Sequence, residues 1–359
     1  MARTTSRESH DYAPRPAGRG RVGVAKTPGL GARKPPQRAL PTTLKTAKTG
    51  KPPAWSKFTP VTLKSSATAD DAIYVVVSAC RDHWQRNLAA AVDGRDPEGL
   101  HQARVGLRRL RSALAAFKKF ISAPQRSALN QEAKWLLAQL CPARDLDVLI
   151  GDLAAPLAGG LSADAGLAQL MRAARLAQTK AHGAAAKALE GARALRFVSR
   201  LDAWLSGRGW RTGKDASDDG LNLPAADFAR RLLNRRLRNI RADYSDLHAA
   251  TVEERHELRL DVKKARYALE FFQVLLPAKR VARVNGLLKA LQENLGHLND
   301  IEVAQRTVAE LVHTADAGLA RRQIAAGGEV IGQWHKAAAA KAEPEMFDLW
   351  RKFKKAPLL

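Results

Sequence analysis

Three observations predict an all-α fold. Alanine and leucine are abundant while aromatic residues make up only 6% of the chain, a balance that favours helices over sheets. Apolar residues recur at helical spacing in one segment after another, and no alternating run reads as a strand ladder. The stretch HQARVGLRRLRSALAAF, starting at His101, recurs as HELRLDVKKARYALEFF, starting at His256, an offset of 256 − 101 = 155 residues. The same offset carries Leu140-x4-Asp145-x2-Val148 onto Leu295-x4-Asp300-x2-Val303. Two separate motifs related by one ungapped shift indicate an internal duplication of helical structure.

The elements follow in order. Residues 1–68 read as a disordered basic tail: fourteen Lys and Arg, from Arg3 to Lys64, face only Glu8 and Asp11, so the tail carries about +12 of the chain's +25. Its Pro, Gly and Thr content leaves too little apolar surface to order it. It serves either as a solubilising linker or, as its one-sided charge favours, as a polyanion-binding arm. Asp70 and Asp71 precede a long helix through Ile73, Val77, Trp84 and Leu88, stopped near Asp93-Gly94. Asp96-Pro97-Glu98 starts the helix that carries the first motif to about Phe120. After Pro124 a helix runs through Trp135 and Leu140, and Leu167 to about Trp204 is Ala-rich helix. GRGWRTGKDASDDG is the linker between a first half, 69–212, and a second, 222–355. The second half repeats the plan as Asp227 to Tyr244, Val252 to Leu276, Val281 to Leu295, and Asp300 onward.

The charge and a pI near 10.6 point to a polyanionic partner: nucleic acid, an anionic membrane surface or another polyphosphate. A hydrophobic content of 45% supports a real core. Cys80 and Cys141 lack a second ligand pair and read as reduced thiols of a cytosolic protein. No apolar run approaches the roughly 18 residues of a membrane helix, and the start has no signal-peptide core.

At about 100° per residue, His101, Arg104, Arg108 and Arg111 fall within an arc of roughly 80°. Leu107, Leu110, Leu114 and Phe117 lie on the other side. His256, Arg259, Lys263 and Arg266 form the same arc opposite Val262, Ala265, Leu269 and Phe272, with Arg109 and Lys264 on the flanks. The arcs read as free of acids, with Glu257, Asp261 and Glu270 placed off them. Like charges at this spacing are destabilising, so a row present twice suggests a ligand that compensates it. The preceding helix adds Arg231, Arg235 and Arg238 on one face and Arg236 and Arg241 elsewhere. Such cations could line a groove or channel suited to phosphates, which Arg forks bind bidentately.

HxxRVxxRRLRSAL with a later RDLDV, and HxxRLxxKKARYALEFF with a later LGHLNDIEVA, resemble the CHAD domain (conserved histidine α-helical domain) over roughly residues 70–355. The resemblance implies two pseudo-symmetric four-helix bundles with a basic channel between them that binds inorganic polyphosphate, in proteins often found at polyphosphate granules in bacteria. Carried over by position, the ligand contacts are His101, Arg104, Arg108, Arg109 and Arg111 in the first half. In the second they are His256, Arg259, Lys263, Lys264 and Arg266, with Arg235 and Arg236 from the preceding helix. Many members also carry a triphosphate-tunnel domain; no ExExK strand is present here, so triphosphatase activity is not transferred. The first half departs from the second at Cys141-Pro142-Ala143-Arg144, so the turn before Asp145 is expected to differ, and Gly106 interrupts the first motif helix.

No metal site and no cofactor are expected, because cations crowd each motif His and no ligand pair has metal spacing. His101 and His256 either bond phosphate or are buried for structural reasons. Asp145 and Asp300 either cap helices or orient basic side chains. Neither a nucleophile with a base nor paired carboxylates appear at the basic row, so a non-catalytic binding module is expected rather than an enzyme. The alternatives are a general polyanion or nucleic-acid binder, with weak contacts through the tail, and a metal-dependent phosphohydrolase. The expected place is the cytoplasm, at polyphosphate granules or the nucleoid.

Overall fold

The computed structural model describes residues 50–158, 164–212, 218–244, 246–316 and 318–359, and these are helical with no strand among them. Helix α1 (Ala69–Arg86) starts with a capping box, the Thr68 hydroxyl accepting from the Asp71 backbone while the Asp71 carboxylate accepts from the Thr68 N–H. Asp70 and Asp71 therefore lie inside the first turn rather than before it. The expected run to Asp93 breaks at Asn87, whose side chain binds the backbone of Ser56, and α2 (Leu88–Asp93) follows. Gly94 closes α2 at a φ of 70°, a left-handed conformation suited to glycine. Helix α3 (Pro97–Ala116) has Asp96 as N-cap, accepting from Glu98, with Pro97 in the first turn.

Helix α4 (Ala123–Asp147) runs through Pro142, and a π-helical stretch, Val148–Ala154, leads into the short α5 (Ala155–Ala158). The turn expected before Asp145 is therefore absent. The Ala-rich segment is two helices, α6 (Ala165–Glu190) and α7 (Ala192–Ser206), separated at Gly191. The start of the expected linker is tied down: Trp210 is fully buried and donates to Asp70 at 2.7 Å, and Arg208 and Arg211 bind the same carboxylate. These partners outweigh the cost of burying Asp70 and hold its pKa below the ordinary carboxylate value.

After α8 (Asp218–Leu221) come α9 (Ala225–Asp243), α10 (Val252–Phe272), α11 (Ala278–Thr314) and α12 (Leu319–Lys355). Helix α11 is continuous through Gly296–Asn299, so the expected break between Leu295 and Asp300 does not occur. Leu288, Leu291, Leu295 and Ile301 are buried along its length, and that packing carries the helix across residues of lower helix propensity.

The largest core draws on both motif regions. Phe117 at the end of α3 stacks on Phe228 of α9 at 5.5 Å and meets Phe272 of α10 edge-on at 5.9 Å. The starts of α1 and α9 are joined by backbone bonds, Ala69 N–H to Leu223 and Ala225 N–H to Ala67, each 2.8 Å. Helices α6 and α12 cross at glycines: a Cβ on Gly327 would stand 2.5 Å from the Gly166 carbonyl oxygen. Gly106 serves the same purpose in α3, where a Cβ would meet the Trp84 backbone of α1 at 2.8 Å.

The tail expectation needs correction at its C-terminal end. Residues 1–49 lie outside the described residues, but Val61 and Leu63 are buried in the main core and Phe58 packs against it. Each such anchor contributes about 1.5–3 kcal/mol when fully buried, enough to hold this short extended segment on the helices.

Candidate anion-binding site

The helical period places the two motif rows on the faces of α3 and α10, and packing turns His101, Arg108, Lys263 and Arg266 of those rows towards one cleft. Its volume is about 460 Å³. His101, Gln102, Val105, Arg108 and Arg109 line it from α3, and Lys263, Arg266, Tyr267 and Glu270 from α10. Gln292 of α11, Gln273, and Lys57, Phe58 and Pro60 of the N-terminal segment complete it.

Arg108 is the hub. It is close enough to repel His101, Arg104, Arg111, Arg259 and Lys263, and it faces Asp145. It has no hydrogen bond or ion pair among the described residues. Lys263 has none either, and its pKa falls to about 7. Burial is the main cause, Arg259 and Arg108 push the same way, and Asp300 opposes them. Arg104 is 4% exposed, with one buried guanidinium nitrogen unpartnered. Arg259 stands 3.7 Å from Asp300 and also keeps a buried nitrogen without a partner. Burial, followed by the charge of Arg144, lowers the His101 pKa to about 4. His101 is therefore neutral near pH 7 and offers an N–H rather than a charge.

Asp145 and Asp300 lie within helices α4 and α11 and cap neither, so the capping role is ruled out. They come together beneath the cations: Asp145 interacts with Arg104, Arg108, Arg306 and Asp300, and burial raises its pKa. Their charges act among these arginines. The repeated motif does not by itself place Arg144 and Arg306 in this cluster. Adjacency to Asp145 in the repeated motif was the available signal for Arg144; none existed for Arg306 or Lys57.

The remaining predicted contacts are distributed differently. Arg109 is committed to Glu270, with Nε and Nη2 donating to one carboxylate oxygen at 3.1 and 2.8 Å. It also lies over the rings of Phe58 and Tyr267. Arg111 donates to Asn130 at 2.8 Å, and Arg266 is 3.2 Å from Glu270. Glu270 belongs on the arc after all, because fourteen steps of about 100° from His256 return to it. The second row is therefore not free of acids.

Lys264 is exposed and paired with Asp261 at 2.8 Å. Arg236 donates to the Lys264 carbonyl at 2.6 Å, and burial lowers its pKa to about 10. Arg235 is exposed on α9. None of these three lines the cleft of His101, nor do Arg104, Arg111, Arg259 or His256. His256 instead borders a second cleft of about 790 Å³ with Asn294, His297, Asn299 and Met346. Among the described residues, no group of three or more His, Cys, Asp or Glu is placed to hold a metal ion, and no helix is long and apolar enough to cross a membrane.

Comparisons with known proteins agree with this architecture. A family model described as the CHAD domain matches residues 75–309. The crystal structure of the CHAD domain from the plant Ricinus communis is 29% identical, covers 85% of this chain and 98% of its own, and superposes with a TM-score of 0.73. PptA from Streptomyces chartreusis is 18% identical over 83% of this chain and 100% of its own, with a TM-score of 0.55, a likeness of fold. No curated protein matches.

Proposed function

The chain belongs to the CHAD domain family, and on that premise we propose that it binds inorganic polyphosphate, without turning it over, in the cleft between α3 and α10. The observation that carries this reading is the convergence on Arg108, which brings Arg104, Arg259 and Lys263 together from two helices while Arg108 and Lys263 lack hydrogen-bond or ion-pair partners. Burying like charges side by side is unfavourable, and a chain of phosphates offsets it at every position along its length. Asp145 and Asp300 act as counter-charges among arginines, so the site lacks an evident nucleophile and base. The same reading takes the helices before and after the linker as two related bundles. In support, α3 and α10 open at Pro97 and Val252, and α4 and α11 at Ala123 and Ala278, both pairs 155 residues apart.

Exposed Arg231, Arg235 and Arg238 on α9 favour a second, weaker activity, non-specific contact with nucleic acid, which the basic tail would extend. A protein of this kind would work on polyphosphate granules in the cytoplasm.

The test is retention on immobilised polyphosphate at physiological salt. The double variant Arg108→Ala/Lys263→Ala should lose about tenfold or more in affinity, the scale of one or two charge-assisted contacts, with helical circular dichroism intact. Arg231→Ala/Arg235→Ala should lose little. Equal losses in the two variants would reduce the assignment to general polyanion binding. Phosphate release with magnesium that disappears in Asp145→Asn/Asp300→Asn would replace it with hydrolysis.

A further inference from the structure

We infer that the extended segment before α1 is a wall of the anion site, and that Lys57 is a ligand-binding residue in it. This inference rests on the polyphosphate reading of the cleft and adds to it a part of the chain that precedes the matched residues 75–309.

The segment is built into the protein. The Ser56 N–H donates to the Asn87 side chain at 2.9 Å, and Asn87 returns a bond to the Ser56 carbonyl at 3.0 Å. Nε2 of His83 lies 3.2 Å from the same carbonyl. Both Asn87 and His83 are fully buried. One residue beyond Lys57, Phe58 meets the rings of His83 and Phe271 edge-on and carries the Arg109 guanidinium 4.5 Å from its ring centre. Lys57 thus sits between two residues whose positions are fixed by the core.

Its own side chain has a different environment. Lys57 is exposed, has no hydrogen bond or ion pair among the described residues, and lines the cleft with Arg108 and Lys263. Lys51 and Lys64 are equally exposed on the same segment but do not line the cleft. A fixed backbone with a flexible four-carbon stem suits a cation that closes over a phosphate at the cleft mouth. Arg109 meanwhile is occupied by Glu270 and Phe58, so the segment supplies a free cation on the wall where α3 supplies a committed one.

The experiment uses the full chain, with Lys57→Ala, Lys57→Arg, Lys64→Ala and Arg108→Ala/Lys263→Ala titrated against polyphosphate and duplex DNA over a salt series. For polyphosphate, Lys57→Ala should weaken binding about three- to tenfold and lower the slope of log affinity against log salt by about one. Lys57→Arg should restore both, and Lys64→Ala should match wild type. If Lys57→Ala behaves like Lys64→Ala while the double variant releases polyphosphate, the segment is not a wall of the site, although the cleft reading holds. If Lys57→Ala loses polyphosphate and DNA alike, the wall assignment stands and polyphosphate selectivity falls. If every variant binds polyphosphate as wild type does, both are overturned.

Discussion

Helices α3 and α10 carry the same row of cations, yet they meet different surroundings. On α3, Gly106 lets α1 press against the backbone, Arg104 is buried, and Arg109 crosses to Glu270 on the other motif helix. On α10, Asp261 occupies the position of Gly106 and pairs with Lys264 on its own exposed surface. His101 faces the cationic cleft, whereas His256 faces a separate cleft. Helix α2 packs on α3, and the segment at Ser56 and Phe58 packs on the end of α1 and reaches Phe271 of α10. The lesson is that a repeated sequence repeats its local geometry, while its neighbours assign each side chain its task.

The largest test of this asymmetry is Glu270→Ala. It leaves Arg109 inside the protein without its carboxylate; the two side chains are only 11% and 19% exposed. Loss of one partner of such a pair should cost about 3–5 kcal/mol of unfolding free energy in urea. Asp261→Ala, which breaks the pair with Lys264 and the 3.3 Å bond that Asp261 accepts from the Tyr244 hydroxyl, should cost about 1–2 kcal/mol. Similar losses at both sites would mean that the two rows are equivalent after all.

A smaller effect is expected from Gly106→Ala. The new methyl must displace the backbone of Trp84, a cost of about 1–3 kcal/mol by overpacking, against which the better helix propensity of alanine returns about 1 kcal/mol. The chain should unfold at lower urea concentration with an unchanged slope. A gain in stability would show that α1 yields easily and that close packing is not what glycine provides there.

The mildest and most specific test is pH. Lys263 has a pKa of about 7 in the folded protein against an ordinary 10.5. Between those values the unfolded chain binds the extra proton, so this residue makes stability rise with pH across that window, and its burial penalty is full below pH 7. Phosphate favours the charged form, so polyphosphate binding should take up a proton in the same window and weaken as pH rises. Lys263→Arg should remove that proton uptake, measured by calorimetry in buffers of different ionisation heat, while Lys64→Arg, away from the cleft, leaves it in place. Persistent uptake in Lys263→Arg would assign the effect to another base of the cleft, where His101 and Lys57 also line the wall.

Much of the fold was legible in the residues. The helix start at Asp96-Pro97, the apolar stripes and the matched rows of cations are local patterns with helical period. Packing overrides local signals elsewhere. Pro142 and Gly296 read as interruptions, but α4 and α11 pass through them because buried leucines on either side continue the same faces. The composition before α1 reads as tail throughout, yet Phe58, Val61 and Leu63 suffice to anchor its last part. Of the site, Arg104, Arg108, Arg259 and Lys263 were legible as a charged arc. The diversion of Arg236 to a carbonyl, and the separation of His256 from His101, were not.

The all-α class, the two motif helices and the faces of them that bear charge follow from the residues alone, because helix periodicity links residues three and four apart. Which cations remain unpaired follows from the packing, since that depends on partners such as Glu270, 161 residues from Arg109. Charge compensation acts through space, and distance along the chain gives no measure of it.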